Sequence, residues 1–134
     1  MSLTAIREGL ASRLGTIDGL RTAAYVPDQV APPVAIPIPT GITFDTTFAR
    51  GMDEYTFTVL VLVGSQSDRA SQSLMDGYCA GSGSTSIKAA IEGDKTLGGS
   101  AFDCRVMEMR NYQQTPVGDQ MYLSAEFTVQ VYAQ

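Results

Sequence analysis

The C-terminal segment, residues 121–132, constrains the fold of this chain more than any other part of its sequence. Every second residue in the segment is apolar, and the residues between are polar or amphipathic. The apolar positions are Met121, Leu123, Ala125, Phe127, Val129 and Val131. A period of two is typical of a β-strand with one buried face and one wetter face. The segment therefore predicts a strand that belongs to a sheet.

Residues 55–63 carry the second strong strand pattern. One face of this strand would present Tyr55, Phe57, Val59, Val61 and Val63. The other face begins with Thr56 and Thr58 but continues with Leu60 and Leu62, so we expect packing on both sides of its second half. We expect one buried sheet face to contain Val59, Val61, Phe127 and Val129.

Three helices are predicted. Over residues 3–14, apolar residues recur at steps of three and four, as on one buried helix face. A second helix is expected after Asp68, and its inward side would be lined by Ala70, Ser71, Leu74, Met75 and Tyr78. A third, short helix is predicted over residues 86–92, after a Gly-Ser linker at 81–84.

A proline-rich stretch precedes the strand at 55–63. Pro37 lies within an alternating pattern over residues 34–38, and proline has no N–H to donate, so this stretch predicts an edge strand or an extended arm. Residues 40–54 hold isolated apolar residues in a polar setting, which predicts a long loop or a protruding hairpin. We expect the segment to be mobile in the free protein and to become ordered against a neighbour. A hairpin packed on its own sheet is the alternative.

The order of the elements favours an α+β fold. Residues 102–110 predict a further strand, and residues 115–119 predict the turn into the final strand. Because helices are grouped between the strands, we expect them to share one face of the sheet. The chain is therefore expected to form a single domain over residues 1–134, a twisted antiparallel sheet with helices packed on one face.

The chain lacks the residues on which most enzymatic catalysis depends. It contains no histidine, so no serine or cysteine has an imidazole to activate it. Asp53 and Glu54 are adjacent in a strand and point to opposite faces, so they cannot act as an acid–base pair. No calcium-loop pattern or other set of metal ligands is recognisable. We expect no catalytic residue, no cofactor and no metal; a small enzyme acting through carboxylates is the remaining alternative.

Charge and hydropathy indicate where the protein resides. The net charge of −5 argues against binding nucleic acid by phosphate neutralisation, although a negative wall could let DNA slide past. The N-terminus carries Arg7 and Glu8 where a secretory signal would be apolar. The longest apolar run, residues 59–63, is too short to span a membrane. We expect a protein that is made and kept in the cytoplasm.

Cys79 and Cys104 lie far apart in the sequence and belong to no metal-binding or redox motif. Free cysteine behaves as a small apolar residue that fits a core well. We therefore expect two buried free thiols, and a disulfide between them is the alternative.

Several apolar and aromatic residues are candidates for contacts with another protein. Core packing is the first interpretation of Met107, Met109 and Met121, and a self-association surface is the second. In the segment 40–54, no local period buries all the apolar residues, and charged neighbours could set the register of a contact. The expected interface residues are Phe44, Phe48, Arg50, Met52, Asp53, Tyr122 and Tyr132.

A family resemblance is carried by two neighbouring segments. They are residues 42–64, ITFDTTFARGMDEYTFTVLVLVG, and residues 67–99, SDRASQSLMDGYCAGSGSTSIKAAIEGDKTLGG. These segments resemble tail terminators, the tail-completion proteins of long-tailed actinobacterial phages. The resemblance extends to the N-terminal helix, to the sequence Tyr-Val-Pro-Asp at residues 25–28 and to the apolar C-terminal strand. The family has no motif that fixes individual functional residues.

The resemblance implies a structural role in a virus particle. It implies an α+β subunit that forms a ring, of six copies, which caps the head-proximal end of the tail tube and joins it to the head connector. The implied partners are the chain itself, the major tail tube protein and the head–tail connector protein, with DNA only as passing cargo and no membrane. The protein would reside in the virion tail after assembly in the host cytoplasm. A head–tail connector or head-completion subunit is the alternative, and a monomeric ligand-binding module is another.

Overall fold

The computed structural model describes residues 3–25, 31–45, 51–64, 69–117 and 119–133. The helices are α1 (Leu3–Leu14), α2 (Arg69–Tyr78) and α3 (Ile87–Glu92), and a 3₁₀ turn follows at Leu97–Gly99. The strands are β1 (Arg21–Thr22), β2 (Val34–Thr43), β3 (Asp53–Leu62), β4 (Asp103–Val117) and β5 (Gln120–Ala133). They form one sheet in the order β1-β2-β3-β5-β4.

The sheet is mixed, and with its three helices it confirms the α+β class. Strands β2, β3, β5 and β4 pair antiparallel, as expected from the sequence. The expectation of a wholly antiparallel sheet is wrong for β1, which pairs parallel with β2. The reason is that the chain returns to the same end of the sheet between Thr22 and Val34, so both strands run in one direction.

All three helices pack on the same face of the sheet. The main core joins inward residues of β3 and β5 to buried residues of each helix, namely Ile6, Leu10, Leu14, Met75, Tyr78, Ile87 and Ile91. Alternate residues of each strand contribute to this core because successive side chains point to opposite faces. The predicted buried face is confirmed, since Val59, Val61, Phe127 and Val129 all lie in this core.

The opposite, helix-free face carries a small apolar cluster over one part of the sheet. Val34, Ile36 and Leu62 are buried in it, and the partly buried residues packed against them are Ile38, Leu60 and Tyr122. This cluster confirms that the second half of β3 is packed on both sides. Elsewhere this face is polar, with half-buried Thr56 and Thr58 opposite Gln130 and Thr128.

Strands β2, β3 and β4 differ in extent from the sequence expectation. Strand β2 continues to Thr43 and β3 begins at Asp53, so the segment 40–54 begins and ends within a β-hairpin. The expected turn at 115–119 is wrong for its first residues, because β4 runs to Val117 and pairs Pro116 with Met121. Cross-strand pairing with β5 extends the hairpin beyond the point where proline suggested a turn.

Helix α2 is rotated relative to the expected orientation. Its buried residues are Ser71, Met75 and Tyr78, whereas Ala70 and Leu74 are exposed. The stripe that faces the sheet thus follows positions 71, 75 and 78, spaced as on one helix face. Ser71 packs closely against Gly64, since a Cβ atom added at Gly64 would lie 2.8 Å from Ser71 Oγ.

Candidate interaction site

The end of the β2–β3 hairpin carries the first group of predicted interface residues. Phe44 is 67% exposed, Met52 is half-buried, and Asp53 Oδ1 accepts a hydrogen bond from the backbone N–H of Asp45, with 3.0 Å between the atoms. The ladder between the strands reaches Thr43 and Glu54. The described part of this segment is therefore a hairpin whose end presents an aromatic side chain. Phe48 and Arg50, also expected at the interface, lie outside the described residues.

The two predicted tyrosines do not lie together. Tyr132 is opposite Glu54 in the ladder, so it belongs to the same end of the sheet as Phe44. Tyr122 lies near the other end of β5 and packs against the apolar cluster of the helix-free face. Both are half-buried. The structure thus brings Phe44, Met52, Asp53 and Tyr132 to one end and separates Tyr122 from them.

The methionines of the last two strands are exposed, so the expectation that they pack in the core is wrong. The exposed fractions are 42% for Met107, 37% for Met109 and 44% for Met121. Strand β4 lies at the edge of the sheet, and its register shifts between Val106 and Glu108. This β-bulge breaks the period of two, so one more residue is turned outward than a regular strand would allow.

Met107 and Met109 line a groove between β4 and the connection from α2 to α3. Its volume is about 230 Å³. We call it the methionine groove; its lining includes Cys79, Lys88, Met107, Met109 and Phe127. The sequence patterns did not indicate this groove, because it depends on the bulge and on how the α2–α3 connection crosses β4.

A half-buried carboxylate supports the groove from the side of α3. Glu92 accepts hydrogen bonds from Lys88 Nζ, at 2.6 Å from Oε2, and from the backbone N–H of Val106, at 2.9 Å. Burial opposes ionisation of Glu92, but the hydrogen bonds from Lys88 and from the Val106 N–H outweigh it and lower the pKa. The ionised carboxylate therefore fixes α3 against the bulged part of β4.

A second register shift, between Arg110 and Gln113, places another aromatic residue beside the helices. Tyr112 Oη donates to Asp76 Oδ1 of α2 at 3.2 Å, and Asn111 Nδ2 donates to Glu126 Oε2 at 3.0 Å. Burial, together with the charge and hydrogen bond of Asp76, raises the pKa of Tyr112. The first contact connects the outer half of β4 to α2, and the second connects it to β5.

Both cysteines are free thiols, as expected, but the expectation that both are buried is wrong for Cys79. Cys104 is buried and Cys79 is half-buried at the methionine groove. Burial, followed by the nearby Asp76, raises the pKa of Cys79 to about 11. Burial, followed by Asp103, likewise raises the pKa of Cys104 to about 11. Few thiolates are present at neutral pH, so neither residue is an activated nucleophile.

A larger pocket, of about 410 Å³, lies between α1 and the 3₁₀ turn and is lined in part by Glu8, Arg13 and Asp94. The carboxylate of Asp94 is already engaged by its own loop, since it accepts from the N–H and the hydroxyl of Thr96 and from the N–H of Gly98. These hydrogen bonds, above all those of Thr96, lower the pKa of Asp94. The carboxylate of Asp94 is therefore already satisfied within its own loop.

Within the described ranges, no group of three or more Cys, Asp or Glu side chains is arranged to hold a metal ion. In the same part of the chain, none of the helices has the length and apolar character needed to cross a membrane. Exposed apolar side chains are found at the hairpin end and at the methionine groove, and also at Phe102, which is 68% exposed and immediately precedes β4. No protein-family model matches this chain, and no curated protein matches it either.

Proposed function

We propose that this chain is a structural subunit of a phage tail. It acts as a tail terminator, which forms a ring on the head-proximal end of the tail tube and joins the tube to the head connector. The observation that best supports this role is the presence of two different exposed apolar regions on one small sheet. One is the hairpin end with Phe44, and the other is the methionine groove at the opposite sheet edge.

Two different surfaces on one subunit favour head-to-tail association. A contact between unlike patches repeats from copy to copy, and it closes into a ring when the rotation between neighbours divides the circle. A two-fold dimer would instead use the same patch on both subunits. A closed ring of six copies is the assembly that we expect, in line with the family that residues 42–99 resemble.

The acidic character of the chain suits a ring through which DNA passes. The net charge is −5, and a negative wall repels the phosphate backbone and so keeps the strand from binding tightly. DNA is therefore cargo rather than a ligand in this role. The protein partners are further copies of the chain, the tail tube subunit and the connector, met in the host cytoplasm and retained in the virion tail.

Co-assembly with the tail tube subunit of the same phage tests the proposed function. The purified chain is first measured by light scattering at several concentrations, and is then added to tube subunits during their polymerisation. We expect closed rings by negative-stain electron microscopy, and tubes that stop growing once one end carries a ring. A chain that remains monomeric both alone and with tube subunits would contradict the proposal and would favour a monomeric binding module.

The position of the chain in a particle separates the terminator from a head–tail connector. A gold-labelled affinity tag at residue 1 would mark purified tails without heads if the chain is a terminator. A connector or head-completion subunit would instead label heads that have not yet received a tail. Labelling confined to heads would replace the terminator by its alternative.

A further inference from the structure

Beyond the two residues of β1, strand β2 forms one edge of the sheet, and this edge is unsuited to pairing with another strand. Arg21 N donates to Pro33 O, and Ala23 N donates to Ala35 O. The backbone carbonyls of Pro33 and Ala35 therefore point toward β1, on the outer side of β2. Alternate residues of a strand point their backbone groups to the same side, so Pro37 and Pro39 share this orientation. Proline has no N–H, and this edge therefore lacks the donors that an added strand requires.

The other edge, formed by β4, is also unsuited to strand addition. Two register shifts interrupt it, one between Val106 and Glu108 and one between Arg110 and Gln113. The N–H of Val106 is already bonded to Glu92, and charged side chains follow on both sides of the first bulge. Bulges and charges are the means by which sheet edges avoid pairing. Copies of this chain must therefore associate through side chains.

The methionine groove has the properties of a receptor for one apolar side chain. Met107 and Met109 supply exposed, adaptable surface, and the almost fully buried Phe127 forms part of the wall. Methionine fits itself to varied partners. Its volume of about 230 Å³ lies below the range of about 300–1,000 Å³ that small-molecule sites occupy. An inserted side chain suits this space better than a free ligand.

Phe44 is the most exposed aromatic residue at the opposite edge of the sheet, and it cannot reach the groove of its own copy. Three strand spacings, about 14 Å, separate β2 from β4. Along the strands, the groove lies beside Phe127, which pairs with Val59. Val59 is about five residues, or roughly 17 Å, from the hairpin end. A contact between Phe44 and the groove must therefore join two copies.

The charges around the two regions are complementary. The hairpin end carries Asp45, Asp53 and Glu54. Lys88, Arg105 and Glu108 border the groove, and the charge of Glu108 is offset by its ion pair with Arg110. Lys88 is paired with Glu92, but Arg105 has no ion-pair partner among the residues that the structure describes. Opposite charges at the rim of a contact orient the partners and select the correct register.

We infer that Phe44 of one copy inserts into the methionine groove of the next copy, and that this head-to-tail contact builds the ring. This inference rests on the proposed function, because it assumes that the chain assembles with itself. It names the side chain and the receptor through which neighbouring subunits are joined.

Photo-cross-linking tests the contact directly. p-Benzoylphenylalanine, which reacts readily with methionine, replaces Phe44, and the protein is mixed with an equal amount of ¹⁵N-labelled chain that carries Phe44 itself. Irradiation should give a cross-linked dimer in which the benzophenone of the light chain is attached to Met107 or Met109 of the heavy chain. The matched control places the same photo-reactive residue at Leu74, which is exposed on α2 outside the groove. We expect no adduct on either methionine from that position.

A substitution arm measures the contribution of the groove. Met109→Ala should raise the concentration at which half of the chain is assembled by about tenfold or more, as for a central interface residue. Leu74→Ala should leave it unchanged, because Leu74 and Met109 are almost equally exposed, at 39% and 37%, but only Met109 lines the groove. Circular dichroism shows whether each variant is folded.

The outcomes separate this contact from the proposed function. Rings whose adducts map away from the groove, or that tolerate Met109→Ala as well as Leu74→Ala, overturn the contact alone. In a parallel irradiation with tail tube subunits added, adducts found only on those subunits would show that Phe44 docks on the tube and would also overturn the contact. A chain that does not assemble under any condition overturns both the contact and the proposed function.

Discussion

Glu92 of α3 and Val106 of β4 are joined by a hydrogen bond in which the backbone N–H of Val106 donates to Glu92 Oε2, with 2.9 Å between the two atoms. The same carboxylate also pairs with Lys88 of its own helix. A single side chain thus connects a helix to the bulged edge of the sheet and holds one wall of the methionine groove in place.

This carboxylate should make the fold sensitive to acid. The pKa of Glu92 is lowered from 4.5 in the folded chain, so its contribution is present above pH 4.5 and is lost as the pH falls through the folded value. We expect the free energy of unfolding to decline below pH 4.5. Glu92→Gln should flatten that decline and cost about 1–3 kcal/mol at pH 7. Denaturant titrations at several pH values measure both effects.

Glu8→Gln is the matched control for that experiment. Glu8 is exposed on α1, and its carboxylate accepts no hydrogen bond from the residues that the structure describes. The change should alter the free energy of unfolding by less than about 0.5 kcal/mol at pH 7. An equal acid response in Glu92→Gln and in the unmodified chain would show that the Glu92 carboxylate does not govern acid stability.

Gly9 is required where α1 meets the 3₁₀ turn. A Cβ atom added at Gly9 would lie 2.7 Å from the carbonyl oxygen of Leu97 and 2.9 Å from its Cβ. Gly9→Ala should therefore destabilise the fold by about 1–3 kcal/mol through overpacking, even though alanine favours the helix by about 1 kcal/mol. Gly15→Ala is the control, because its nearest neighbours are 3.4 Å away. Thermal unfolding of the two variants should differ; equal midpoints would contradict the close contact.

Phe127 should be among the most important side chains for stability. It is buried on the helix-covered face, in the same core as Val59 and Val129. Phe127→Ala should cost about 3–5 kcal/mol. Thr128→Ala changes the neighbouring, half-buried residue on the other face and should cost less than about 1 kcal/mol. A loss below 1 kcal/mol for Phe127→Ala in chemical denaturation would mean that the two faces of β5 have been assigned the wrong way round.

The cysteines should be unreactive in the folded chain. With a pKa of about 11, roughly one thiol in a thousand is ionised at pH 8, compared with about one in ten at the ordinary value of 9.0. We expect Ellman's reagent to label both cysteines at least tenfold more slowly in the native protein than in urea. Rapid labelling of Cys104 without denaturant would show that this part of the core opens readily.

The strand faces could be predicted from the sequence where the period of two is unbroken. In β3 and β5, the alternation around Val59 and Phe127 placed the core residues correctly, because burial on one face strongly specifies the register. In α2, the apolar Leu74 suggested the wrong stripe. The buried position is Ser71, where the close approach of Gly64 leaves room only for a small residue.

The candidate site could be predicted only in part. Phe44 was identified because it lies in a polar segment without a period that would bury it, and it is exposed. The exposure of Met107 and Met109 could not be predicted, because it follows from a bulge, and a bulge depends on tertiary pairing rather than on local composition. Their grouping with Phe127 into a groove has the same origin.

The apolar cluster on the helix-free face divides the sheet into two halves of unequal resistance to opening. The second half of β3 is clamped on both sides, by the helices on one face and by Val34, Ile36 and Leu62 on the other. Strand β4 pairs with one neighbouring strand, is bonded to the helices through Glu92 and Tyr112, and is exposed along most of its length. Local opening begins where few buried contacts must be lost. Local opening should therefore require less free energy at β4 than at β2 and β3. Strand β4 can then adjust its shape without unfolding the rest of the domain.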